Sequence, residues 1–259
     1  MIFRLPEQPQ TISDIVRTGF WIWKATIKQA MPFALALAIL NLVFQMLMQW
    51  LGAGEALNYL SSSSSLMEVN APELTMPSFS VFVCVSAYLA IFMILYTAMI
   101  YGIDRSIHFE RLQPRIVFQV GLQKALPFLA VTILSGLIML VGFFLFIIPG
   151  VMASVYLLFA PYILVTSDKG VVDSLRESYR LVSGSWWFTS TAFSVAILIF
   201  IVIALLGNFA EYEQNYLVWI TDGIVILLMY PMGISFMLAL LYDLQNRKKS
   251  SDKYQSIKI

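Results

Sequence analysis

Charged positions divide this chain into long apolar stretches. Runs without a single charge cover 29–54, 74–103, 125–167, 181–210 and 223–242. A helix that crosses the hydrocarbon layer needs about 20 apolar residues, so four of these runs hold one span each. The third, 125–167, has the length for two, and its middle reads Phe146-Ile147-Ile148-Pro149-Gly150. A Pro-Gly pair ends a helix and marks a turn, which splits the run into two helices with almost no loop. The pattern predicts an all-α fold: a polytopic membrane helical bundle of six transmembrane helices. They fall at about 31–52, 79–102, 125–147, 149–166, 186–208 and 219–242, in one integral membrane domain over 1–259.

Before three of the spans the apolar residues take up an amphipathic period. Thr11 and Asp14 stand at capping-box spacing. Beyond them Ile12, Ile15, Val16, Gly19, Phe20, Trp23 and Ile27 share one helical face, with Arg17, Lys24 and Lys28 opposite. A basic amphipathic helix with tryptophan is expected to lie in the membrane surface. Residues 171–182 repeat the design, with Val171, Val172, Leu175, Tyr179 and Val182 on one side and Asp173, Arg176, Glu177 and Arg180 on the other. A shorter, poorer copy at 115–123 follows Pro114. Lys28-Gln29-Ala30-Met31-Pro32-Phe33 also resembles Gln123-Lys124-Ala125-Leu126-Pro127-Phe128. The expected architecture is three units, each a short amphipathic interfacial helix followed by a hairpin of two spans. Such repeats serve transporters and inert bundles alike. Residues 53–77, with Ser61–Ser65 and then Pro72 and Pro77, read as a flexible extracytoplasmic loop. Residues 244–259 read as a basic, disordered cytoplasmic tail.

Composition agrees with this solvent. Of 259 residues, 59% are hydrophobic and 12% charged, against about 25% charged in average soluble domains. A soluble core of this length would be left without a polar skin. The net charge of +1 gives no reason to expect a nucleic-acid partner, but it conceals a strict partition. All 16 basic residues fall on one side of the predicted spans: Arg4, Arg17, Lys24 and Lys28; Arg105, Arg111, Arg115 and Lys124; Lys169, Arg176 and Arg180; Arg247, Lys248, Lys249, Lys253 and Lys258. The opposite loops carry only acids, Glu55, Glu68, Glu73, Glu211, Glu213 and Asp222. Basic residues stay in the cytoplasm, so both termini are expected there. Arg4, Pro6, Glu7 and Pro9 interrupt the N-terminus before any apolar core. The first span is therefore read as an internal anchor and not a cleaved signal.

Candidate chemistry is sparse. Cys84 and His108 are the only residues of their types, which leaves no disulfide framework and no metal site. No nucleophile elbow, phosphate loop or pair of catalytic carboxylates is present, so neither an enzyme nor a cofactor is expected. Asn41, Gln45 and Gln49, spaced four apart, form a polar stripe on the first span. It suits a solute pathway, although amides in membrane helices more often bond neighbouring helices. Asp222 lies near the outer end of the last span, the usual place of a water-facing carboxylate. Arg176 and Arg180, one turn apart and close to Trp186 and Trp187, suit a clamp on a lipid phosphate. Positive-inside anchoring with an aromatic belt accounts for the same residues. Ala34 and Ala38, and Gly150 and Ser154, allow close helix packing. Pro161 and Pro231 are expected to kink their spans.

One stretch carries a resemblance. Ile148-Pro149-Gly150-Val151-Met152 is followed by a helix ending Ala160-Pro161-Tyr162-Ile163-Leu164-Val165. Then come Asp168-Lys169-Gly170, Ser174-Leu175-Arg176, Ser178, Arg180-Leu181 and an aromatic pair. This order resembles the YciC-like family of uncharacterised bacterial inner-membrane proteins. It is more distantly similar to the membrane domain of some glycerophosphoryl diester phosphodiesterases. The resemblance implies a cell inner membrane location and six helices. It places the family's shared role on Pro149, Gly150, Pro161, Arg176 and Arg180, and it brings no catalytic residue. The soluble phosphodiesterase domain is not among these residues, so hydrolysis is not carried over. Two readings follow. The first is a non-enzymatic inner-membrane protein that binds lipid headgroups or another membrane protein through its surface helices. The second is a small-solute transporter or channel using the Asn41, Gln45 and Gln49 face.

Overall fold

The computed structural model describes residues 8–51, 79–108, 110, 112–208 and 215–257. Among these the fold is all helical: α1 (Ile12–Trp50), α2 (Phe79–Ile107), α3 (Pro114–Leu145), α4 (Ile147–Leu157), α5 (Ala160–Thr166), α6 (Val171–Ser183), α7 (Trp186–Asn208) and α8 (Asn215–Ile257). Five segments, α1, α2, α3, α4 with α5, and Gly223–Ser251 of α8, are long and apolar enough to cross a membrane. A sixth is available in the pair formed by α6 and Trp186–Ile199 of α7, which is bent by 100°. The 53–77 loop and the acids Glu55, Glu68, Glu73, Glu211 and Glu213 lie outside the described residues, as does the side chain of Asp222.

The interfacial helix expected at 11–30 is not a separate element. Thr11 caps α1, its side chain accepting from the Asp14 N–H at 3.3 Å. The helix then runs unbroken through Pro32 to Trp50. Its buried face explains the continuity: Ile15, Ile22, Ala30, Phe33, Ala34 and Leu37 form one stripe, and α1 packs chiefly along α8. That stripe is rotated from the expected one, so Phe20 is exposed while Thr18 and Thr26 are buried. The 115–123 piece is likewise the opening of α3, which starts with Pro114 in its first turn. There the missing N–H costs nothing.

α2 lies between α1 and α3. It meets α3 at Gly121, where a Cβ would stand 2.6 Å from Ala98 Cβ and 2.8 Å from the Ile94 carbonyl oxygen. Thr97 Oγ1 donates to the Gly121 carbonyl at 3.0 Å across the same crossing.

The α3–α4 hairpin turns on one residue, but not on the Pro-Gly pair. Phe146 alone is extended, at φ −165° and ψ 155°, and its N–H donates to Gly142 O at 3.1 Å. Pro149 belongs to the first turn of α4, among amides that have no intrahelical acceptor. Gly150 serves the crossing: a Cβ on Gly142 would lie 3.0 Å from Gly150 Cα. Pro161 breaks its span instead of bending it. Lacking an N–H for the Leu157 carbonyl, it stands at the start of α5, with Leu158 and Phe159 outside both helices.

The tail read as disordered is helical to Ile257. Leu244 is buried in the core, Arg247 is anchored to Asp243, and the following Lys and Gln residues are good helix formers.

Candidate functional site at the basic end of the bundle

Polar side chains from widely separated segments converge on one end of the bundle. The Gln10 N–H donates to Asp243 Oδ1 at 2.7 Å, and Arg247 Nε donates to Asp243 Oδ2 at 2.6 Å. Arg247 also donates to the Gln10 carbonyl and lies 3.7 Å over the Phe188 ring, so the start of α1, the end of α8 and the start of α7 are tied together. Beside them, Asp104 of α2 is buried and accepts from the Tyr242 hydroxyl. The His108 ring meets Tyr242 edge-on at 5.7 Å.

Lys124 joins this end from α3. Its ammonium donates to the carbonyls of Leu164 at 3.3 Å and of Val165 and Ser167 at 2.9 Å, with Asp168 at 3.8 Å. The last carbonyls of a helix have no intrahelical donor and carry the negative end of its dipole. One cation therefore closes the end of α5 from a neighbouring helix.

α6 lies across the broken span. Ser178, fully buried, accepts from the Phe159 N–H at 3.2 Å and donates to the Tyr156 carbonyl at 2.7 Å. One hydroxyl thus serves two backbone groups at the α4–α5 break. The buried face of α6 is Ser174, Leu175, Ser178, Leu181 and Val182. It differs from the expected apolar face in that Val172 and Tyr179 are exposed, because the hydroxyls of Ser174 and Ser178 turn inward. Outward face Arg176 and Arg180, with side chains 77% and 63% exposed. Arg176 has Asp173 at 4.0 Å, and Arg180 has Glu177 at 3.4 Å. At the bend into α7, Trp187 is 79% exposed and meets Trp186 edge-on at 4.8 Å.

The structure does not assemble the five resemblance positions into one constellation. Arg176 and Arg180 lie at the polar end, and Pro161 at the break. Pro149 and Gly150 begin α4 at the far end of the span, about 25 Å of helix from Ser167 at 1.5 Å per residue. The amide stripe lies elsewhere. Asn41 is half-buried and accepts from the Tyr88 hydroxyl at 3.5 Å, Phe44 stacks on Tyr88 at 4.1 Å, Gln45 is half-buried, and Gln49 is exposed. Ser178 and Lys124 escape sequence reading because their roles depend on a helix break and a helix end formed by other segments. Asp104 carries a weak signal, a carboxylate at the very edge of an uncharged run.

Among the described residues the fold is all helical, with five to six segments long and apolar enough to cross a membrane. Residues 113–243 match the family described as Domain of unknown function (DUF7847), and the chain belongs to that family. The match runs from the start of α3 to Asp243, taking in the hairpin, the broken span, α6 and α7. No curated protein and no solved structure matches the chain.

Proposed function

We propose that this is a non-enzymatic multi-pass protein of a bacterial inner membrane that binds anionic lipid headgroups through the exposed face of α6. The carrying observation is the pair Arg176 and Arg180, one turn apart, outward-facing, and close in sequence to exposed Trp187. Asp173, the partner of Arg176, is an exposed neighbour on the same helix, while Glu177, the partner of Arg180, is 20% exposed and shared with Lys169 at 3.4 Å. An exposed pair such as Arg176–Asp173 contributes about 0–1 kcal/mol, so a phosphate, which takes planar bidentate bonds from arginine, competes with it easily. By the positive-inside rule this end is the cytoplasmic one. The resemblance to the YciC-like proteins supports the inner membrane.

The test is thermal unfolding of the purified protein with phosphatidylglycerol or phosphatidylcholine. A ligand that binds only the folded state at 100 times its Kd stabilises by about 2.7 kcal/mol. Phosphatidylglycerol should raise the Tm and phosphatidylcholine should not. The double variant Arg176→Ala with Arg180→Ala should lose the response while its lipid-free Tm stays within about 1 °C. Equal stabilisation by both lipids, or a response kept by the double variant, refutes the reading.

The second reading, a solute pathway along Asn41, Gln45 and Gln49, calls for a water-accessible stripe. Complete protection of Asn41→Cys, Gln45→Cys and Gln49→Cys from aqueous thiol reagents would exclude it, and the Tyr88 contact of Asn41 favours that outcome.

A further inference from the structure

Against the broken span lies a partly open cavity of about 500 Å³, within the range of about 300–1,000 Å³ typical of small-molecule sites. α7 forms one wall with Phe193, Ala196 and Ile197, and α8 forms another with residues from Val225 to Met237. The break itself shapes a third wall: Leu158 lies between α4 and α5, and Tyr162 follows Pro161. Irregular backbone at membrane depth is tolerated where protein buries it or where it lines a cavity. Here Ser178 secures one side of the break and the cavity occupies the other.

The lining is apolar except at one spot. Tyr96, Tyr162 and Tyr230 bring its only side-chain hydrogen-bonding groups. The Tyr96 and Tyr162 hydroxyls are 3.2 Å apart, and the Tyr230 ring meets Tyr96 edge-on at 6.0 Å. A tyrosine hydroxyl donates once and can also accept, so the Tyr96–Tyr162 pair, after bonding to itself, still has a donor to offer. This spot is deep. Tyr96 stands eight residues before Asp104 on α2, about 12 Å of helix from the polar end. Side chains on a helix lean toward its N-terminus, which carries the hydroxyl deeper still. Phospholipid chains bring no oxygen to that depth, and a lining with three tyrosines and no charged side chain has little to offer an ion or a sugar.

We propose that this cavity is a binding site for a bilayer-dissolved molecule with an apolar body and a carbonyl or hydroxyl oxygen at one end, the chemistry shared by prenyl quinones and prenyl alcohols. The oxygen bonds to the Tyr96–Tyr162 pair, and the body packs on Phe193, Ile197, Met229 and Met237. Methionine is suited to such a wall because its unbranched, polarisable side chain adapts to irregular apolar shapes. The site is separate from the Arg176 and Arg180 face and does not depend on it.

Native mass spectrometry of the full chain in detergent, with decylubiquinone, farnesol or phosphatidylglycerol added in parallel, tests this. The expected result is a one-to-one adduct with decylubiquinone or farnesol, whichever of the two oxygen groups fits. The adduct should be lost in Ala196→Phe, which fills the cavity. In the double variant Tyr96→Phe with Tyr162→Phe, which keeps the shape and removes both hydroxyls, it should weaken about three- to tenfold, the share of one hydrogen bond. The double variant should melt as a folded protein, so its result stands even if Ala196→Phe misfolds. No adduct with either probe, or an adduct of unchanged strength in the double variant, overturns the proposal. A phosphatidylglycerol adduct lost in Ala196→Phe would also overturn it, by assigning the cavity to a phospholipid chain.

Discussion

Replacing Ser178 by alanine removes one hydroxyl from a site with no access to water and leaves the volume almost unchanged. In the native fold that hydroxyl accepts from the Phe159 N–H at 3.2 Å and donates to the Tyr156 carbonyl at 2.7 Å. Both partners belong to the α4–α5 break, where Pro161 has no amide to contribute. Losing the acceptor for a buried N–H costs about 1–3 kcal/mol in soluble proteins, while side-chain hydrogen bonds in membrane proteins average about 0.6 and reach about 1.7 kcal/mol. A loss of about 1–2 kcal/mol follows. At about 2–4 °C per kcal/mol for chains approaching this size, the Tm should fall by about 2–8 °C. Ser174→Ala is the matched control. Ser174 is just as buried, but its hydroxyl donates to Gly170 O, which already accepts from the Ser174 N–H at 2.9 Å. Ser174→Ala should therefore shift the melt by no more than about 1 °C. If the two variants melt together, Ser178 does not hold the break and the reasoning fails.

Other perturbations test other parts of the packing. Gly121→Ala places a methyl against the Ile94 carbonyl, which cannot move aside as a side chain end would. It should destabilise by about 1–3 kcal/mol, the usual cost of overpacking, as a lowered Tm, and an unchanged melt would mean that α2 and α3 are not pressed together there. Asp243→Ala strips the buried carboxylate from Gln10 and Arg247. Breaking a buried pair costs about 3–5 kcal/mol, so the variant should melt early and expose residues near Gln10 to limited proteolysis. Protection of that segment at wild-type level would show that Asp243 does not anchor it.

What could be read from the sequence, and what could not, follows from which interactions are local. Uncharged runs locate the long helices because crossing length and the absence of charge are properties of a segment by itself. The one-residue hairpin at Phe146 was legible as a break, but its agent was not. Pro149 is compatible with a first helical turn, and the function of Gly150 appears only when Gly142 is brought against it. The periodicity of α6 puts Arg176 and Arg180 on its outer face, where they lie, but it puts Val172 and Tyr179 on the inner face, where they do not. A hydropathy pattern ranks valine and tyrosine above serine, whereas the seam needs the Ser178 hydroxyl for backbone groups in another helix. The tail after Asp243 looked like a solvated segment for the same reason. Its order rests on Leu244 in the core and on Arg247 reaching Gln10, 237 positions away. The cavity is beyond any reading of one segment, since its tyrosines come from three.

The proposed topology turns the basic end of the bundle, with α6, toward the cytoplasm. Thiol labelling tests this most directly, with Cys84→Ala as background and single cysteines at Ser63→Cys in the first loop and Gln113→Cys and Ser183→Cys at the basic end. A membrane-impermeant maleimide should label Ser63→Cys in intact spheroplasts and reach Gln113→Cys and Ser183→Cys only in inverted vesicles. Labelling of Ser63→Cys and Ser183→Cys from the same side would contradict it.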